Sequence, residues 1–168
     1  NFRIMSKIAT ILGHLKDSER FENRIRDLYK AINTNFIDQE TGYVKGDCQT
    51  SYSAVMYFDL VNDELKPKVL AKLIEQVKFH NFHLDTGILG TRYLLYELTK
   101  YGYGDIAFKI ATQTDFPGWG DWIKQGATTL WENWNGKHSR NHRMFGSISS
   151  WFYTFLAGIN PDEEHPGL

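Results

Sequence analysis

The chain has 168 residues, with 19 Lys+Arg against 20 Asp+Glu and a net charge of -1, so no overall field directs it to nucleic acid or an anionic membrane. At 42% hydrophobic it can build one compact core, and no apolar run approaches the ~20 residues that cross a bilayer. The single cysteine, Cys48, allows neither an internal disulfide nor a CxxC site.

Helical spacing dominates the first two thirds. Phe2, Met5, Ile8, Ala9 and Leu12 recur at steps of three and four up to Gly13. Asn1 is not an initiator Met and no cap precedes this pattern, so the chain reads as part of a longer protein. Asp17 or Ser18 then caps a second helix with Phe21, Ile25, Leu28 and Ile32 on one face, ending near Asn33. Residues 38–42 carry a turn signal within a loop or small β-hairpin.

A second helical pair is predicted over 49–60 and 65–79, with Asn62 and Asp63 at its turn and Pro67 where a first helical turn tolerates it. A third covers 86–100 and 106–112. The turn residues Asp17, Asp63 and Asp105 recur at intervals of about 45 residues, a period that belongs to solenoids and closed toroids of helix pairs.

Residues 114–139 have no helical period, yet hold four of the five tryptophans among several glycines, which predicts a long ordered loop or β-hairpin insertion. A last helix is expected over 144–156, closed by Gly158 and Pro161, with 161–168 as a tail. The predicted fold class is all-α, a single array of helical hairpins with this Trp/Gly-rich insertion.

Aromatic residues make up 15% of the chain, a load that suits a stacking surface for sugars. Glu132 lies between Trp131 and Trp134, where partial desolvation would make it a usable acid or base; the plainer reading is a solvated charge above tryptophans that plug a helical barrel. His142 either holds a substrate hydroxyl or orders a loop. Asp85 either caps the helix that follows it or touches a ligand, and Gly87 and Gly90 point to tight backbone packing there.

His80 with His83, and His138 with His142, have metal-ligand spacing but no HExxH context, so no metal is expected. There is no Walker loop, GxGxxG or GxSxG, and no cofactor is expected.

Three strings, HLDTGILGTRYLL over 83–95, ATQTDFPGWGDWIKQGATTLWENWNG over 111–136 and SRNHRMFGSISSWFYTFLAGI over 139–159, resemble the C-terminal half of the catalytic domain of bacterial α-L-rhamnosidases, glycoside hydrolase family 78. The resemblance implies part of an (α/α)6 toroid and hydrolysis, with inversion, of terminal α-L-rhamnose in a glycoside or polysaccharide. It makes Glu132 in the TTxWExW motif the general base and His142 in the NHxxFG motif a sugar contact. Trp119, Trp122, Trp131 and Trp134 would line the pocket, with Asp85 a further candidate contact.

The family's general acid sits in a motif resembling DERxGWxGD, and no such string occurs here. The chain thus resembles roughly the second half of the toroid, its expected partner being the missing N-terminal half. Uncovered apolar faces predict self-association. The other reading is a noncatalytic helical-repeat module that binds carbohydrate or a partner. Neither the cellular compartment nor the aglycone is legible.

Overall fold

The computed structural model describes residues 1–160 and 162. The expected tail at 161–168 lies outside the described residues except for Asp162. The first hairpin pairs α1 (Phe2–Ile11) with α2 (Leu15–Phe36) through a turn in which Gly13 adopts φ +76°. Asp17 and Ser18 do not cap α2, because the helix already starts at Leu15. The Ser18 hydroxyl instead bonds the Ser6 and Thr10 hydroxyls at 3.0 and 2.8 Å, stitching the two helices together.

On α2 the half-buried apolar residues are Phe21, Ile25, Tyr29 and Ile32, whereas the expected Leu28 is 44% exposed. The helix runs past the expected end at Asn33, whose amide donates to the Leu60 carbonyl at 2.7 Å and ties the hairpin to the next one.

The 37–44 turn is the small hairpin the sequence suggests. Ile37 and Val44 pair as an isolated antiparallel bridge, and the Asp38 carboxylate accepts the Glu40 and Thr41 N–H groups at 3.0 and 2.8 Å. Those bonds hold the Asp38 carboxyl below its ordinary value, the Thr41 N–H contributing most. Gly42, at φ +74°, comes so close to Lys68 that a Cβ would meet the Lys68 backbone at 2.9 Å.

The second hairpin is α3 (Gln49–Tyr57) and α4 (Lys66–Phe79); the third is α5 (Thr91–Lys100) and α6 (Gly104–Ala111). α3 packs on α5 and α5 on α8 (Ser147–Trp151), while α4 backs α3 and α6 backs α5. The result is a row of helices, each of the first two carrying its hairpin partner behind it. Tyr52, Met56, Val69, Leu73, Val77, Leu94, Leu98 and Ile110 fill the space between with almost no exposure.

α5 begins five residues later than the apolar pattern suggests, with Gly90 rather than Asp85 at its N-cap. A side chain on Gly90 would strike Thr50 of α3 at 2.0 Å, so the expected tight packing is real and lies against that helix. α7 (Trp119–Lys124) is a short helix inside the insertion, where the sequence reads none. The remainder of the insertion is irregular, and no named strand occurs among the described residues.

The predicted closing helix is broken into a 3-10 turn (Arg143–Gly146), α8 and a π-helical turn (Phe152–Leu156). Phe145, Ile148 and Trp151 still present one buried face, and the Trp151 indole N–H reaches the Thr99 hydroxyl at 2.9 Å. Among the described residues, no helix is long and apolar enough to cross a membrane.

Candidate active site

The four tryptophans of the insertion form one packed cluster instead of a set of open faces. Trp122 lies 4.7 Å from Trp134 and 5.4 Å from Trp131, Trp119 meets Trp134 edge-on at 5.2 Å, and Phe145 stacks on Trp134 at 4.1 Å between centroids. All four indoles are at most 9% exposed.

Three of the indole N–H groups are spent on main-chain carbonyls. Trp119 donates to Phe145 at 3.3 Å, Trp122 to Trp134 at 2.8 Å and Trp134 to Thr86 at 2.7 Å. Phe145 and Thr86 belong to the other two sequence strings, so the cluster draws all three together. In this chain the four indoles are packed against one another and against Phe145 and are buried. Trp119 and Trp122 also border an open groove of about 250 Å3 with Ile123, Ala127, Thr128 and Leu130.

Residues 130–142 fold back on themselves. Glu132 N–H donates to the Ser139 carbonyl at 2.8 Å, and His142 N–H donates to the Leu130 carbonyl at 2.9 Å. Ser139 N–H in turn donates to Oε2 of Glu132 at 3.1 Å. The half-buried Glu132 carboxylate is therefore held through one oxygen, and Oε1 has no hydrogen-bond partner among the described residues. A carboxylate fixed this way can accept a proton from a water on its other oxygen.

The His142 ring lies near the same fold-back, and its Nδ1 is buried with no protein partner; the Asn133 amide oxygen, next to Glu132, is in the same condition. Orphaned buried polar atoms cost about 1–3 kcal/mol each, so both are places for a ligand hydroxyl or an ordered water.

Arg140 and Gly136 were not singled out from the sequence, yet they shape this loop. The Arg140 guanidinium lies 4.5 Å over the Trp131 ring, and its Nε donates to the Gly136 carbonyl at 3.3 Å. The Thr129 hydroxyl donates to the Arg140 carbonyl. A cation two residues from His142, above an aromatic and beside a glycine, is the signal that marks Arg140.

Asp85 stands at the edge of this assembly. Its carboxylate faces His80 at 3.4 Å, its N–H donates to the Gln49 side chain at 2.9 Å, and the next residue, Thr86, receives the Trp134 N–H. His83 faces Asp115 at 3.0 Å, a hydrogen bond that is the main cause holding the Asp115 carboxyl below its usual range. The two histidines thus serve different carboxylates. Among the described residues no three His, Cys, Asp or Glu side chains converge as a metal site would require.

A family model described as the bacterial alpha-L-rhamnosidase 6 hairpin glycosidase domain matches residues 1–156. A curated alpha-L-rhamnosidase of Streptomyces avermitilis is 34% identical over 169 residues, covering 94% of this chain and 16% of that protein. The solved structure of S. avermitilis alpha-L-rhamnosidase complexed with L-rhamnose superposes with a TM-score of 0.86 over 94% of this chain and 16% of that one, at 34% identity.

An alpha-L-rhamnosidase structure from Dictyoglumus thermophilum gives a TM-score of 0.86 at 40% identity, over 92% of this chain and 18% of that one. The chain spans 16% to 18% of the length of the curated relatives it matches over most of its own length. The chain belongs to the bacterial α-L-rhamnosidase six-hairpin glycosidase domain family.

Proposed function

We propose that this chain is the base-carrying section of an inverting glycoside hydrolase that removes terminal α-L-rhamnose from glycosides or polysaccharides. The observation that carries the reading is the Glu132 carboxylate, with Oε2 held by the Ser139 N–H at 3.1 Å and Oε1 without a described partner. Inversion requires a base that takes a proton from water while a second carboxyl, about 6.5–9.5 Å away, protonates the leaving oxygen. Glu132 has the first role.

The second carboxyl comes from outside this section, since the family's acid motif does not occur in it. On this reading residues 1–168 form one partial catalytic domain whose partner is the section that carries the acid. His142, with a buried ring nitrogen that lacks a protein partner, holds a hydroxyl of the sugar. Trp131 and Trp134, buried on either side of Glu132 in sequence, limit the access of bulk water there, while Trp119 and Trp122 form the wall of the adjoining groove. Asp85 contributes at the margin, through the Thr86 segment.

The test uses an enzyme that contains both sections. His142→Ala should raise KM and lower kcat together on an aryl α-L-rhamnoside, because a hydroxyl contact that forms in the ground state and strengthens in the transition state contributes to both. Unaltered kinetics would remove His142 from the site.

A further inference from the structure

Between α5 and the start of α8 lies an open cleft of about 450 Å3 that the reading above leaves unused. Its polar wall consists of Arg92, Tyr93, Tyr96, Arg143, Ser147 and Ser150. Arg92 is the second residue of α5, and Arg143 follows His142 directly at the opening of the 3-10 turn. Two guanidiniums therefore face one concavity to which no acidic side chain contributes, in a chain whose charges otherwise nearly balance.

Neither arginine has a carboxylate partner among the described residues, in contrast to Arg3 and Arg20, which pair with Asp59 and Asp17. The Arg92 guanidinium carbon lies 6.0 Å from the centre of the Tyr57 ring, a cation–π distance that leaves its N–H donors unspent. Tyr96 and Ser150 share a hydroxyl–hydroxyl hydrogen bond of 2.5 Å across the cleft, fixing two groups that can still accept or donate to a ligand.

We propose that this cleft binds an anionic sugar, one bearing a carboxylate or a sulfate ester, through Arg92 and Arg143. Each guanidinium offers a planar pair of donors that matches an anionic oxygen pair, and the strongest hydrogen bonds in proteins are of this charge-assisted type. The hydroxyls of Tyr96, Ser147 and Ser150 supply the neutral contacts a sugar ring needs, and the tyrosine rings its apolar ones. In a glycosidase such a cleft selects glycosides in which a charged sugar accompanies the one that is cleaved. The sugar half of this assignment rests on the glycosidase reading; the anionic half rests on the two unpaired guanidiniums.

The experiment is an NMR titration of the 15N-labelled 168-residue chain with methyl β-D-glucuronide, glucose 6-sulfate, neutral methyl β-D-glucoside and inorganic sulfate. The anionic sugars should shift the Arg92, Tyr96, Ser147 and Ser150 resonances and bind about tenfold more tightly than the glucoside. The stronger of the two identifies carboxylate or sulfate ester as the preferred group. Arg92→Gln and Arg143→Gln should each weaken binding about tenfold with unchanged thermal midpoint, since both side chains are exposed.

Absence of shifts in the cleft, equal binding of glucoside and glucuronide, or inorganic sulfate binding as tightly as the sugars would each overturn the proposal. A parallel L-rhamnose titration of an enzyme that contains both sections tests the glycosidase reading separately, and failure there would count against that reading alone.

Discussion

Gly136 adopts φ +64°, and a Cβ at this position would lie 2.7 Å from the Trp131 ring, beneath the Arg140 guanidinium. Both the conformation and the contact exclude a side chain. Gly136→Ala should destabilise the chain by about 1–3 kcal/mol, read as a lower urea midpoint, and broaden the Ser139 amide that holds Glu132. Full stability would show that the loop is not clamped there.

Glu97 is the opposite kind of residue, a polar group where the packing offers little. It is 2% exposed on α5, one carboxylate oxygen lacks a hydrogen-bond partner, and Lys100 is no nearer than 4.0 Å. Burial raises its pKa above the ordinary 4.5, against smaller opposing effects of Lys100 and Lys66. The folded chain therefore keeps this proton to higher pH than the unfolded chain. Its contribution to stability is greatest below the unfolded value and is lost as pH rises through the folded one. Glu97→Gln should raise the melting temperature at pH 7 and flatten its decline between mildly acidic and neutral pH. An unchanged profile would contradict this.

At the scale of elements, apolar spacing made the three hairpins legible. Phe21, Ile25 and Ile32 on α2, and the buried faces of α4 and α5, follow the helical period closely enough that only the ends are displaced. The start of α5 is displaced because Gly87 and Gly90 interrupt the pattern. There the chain follows the approach of Gly90 to Thr50, a tertiary contact with no sequence period.

α7 was hidden for a related reason. Six residues cannot display periodicity, and Gly120 within it and Gly118 at its N-cap read as loop signals. Gly120 serves the chain's own packing: a Cβ there would meet the Gln113 carbonyl at 2.4 Å. Gly120→Ala should displace α7, speeding hydrogen exchange at Trp122 and Ala127 while the α3–α5 core stays protected. Uniform protection across both regions would argue that α7 is not docked through this contact.

The packing of the tryptophans could not be read from the sequence. Composition cannot distinguish an indole that stacks on a ligand from one that stacks on another indole, and the carbonyls of Thr86 and Phe145 that fix them lie far away in sequence. Glu132 and His142 stand out in the sequence because each lies in a motif, TTxWExW and NHxxFG. The Ser139 N–H and Arg140 clamp needed the fold.

For the molecule as a whole, the first hairpin is the loosely attached part. Its external ties include Arg3 to Asp59 and Asn33 to Leu60, while Ile4, Ile8, Ile11, Leu12 and Leu15 remain largely exposed. Such a surface predicts concentration-dependent association in light scattering, reduced by Ile8→Lys with Ile11→Lys. A monodisperse monomer at high concentration would contradict it.

The central claim, that Glu132 is the base of a carboxyl pair completed from outside this section, is tested most directly by Glu132→Gln in an enzyme that contains both sections. The measurement is kcat on an aryl α-L-rhamnoside together with rhamnose affinity by calorimetry. The account predicts a kcat lowered by about 10²–10⁴-fold with affinity nearly unchanged, because the substitution removes proton acceptance and little else. Turnover at the unmutated rate would contradict it.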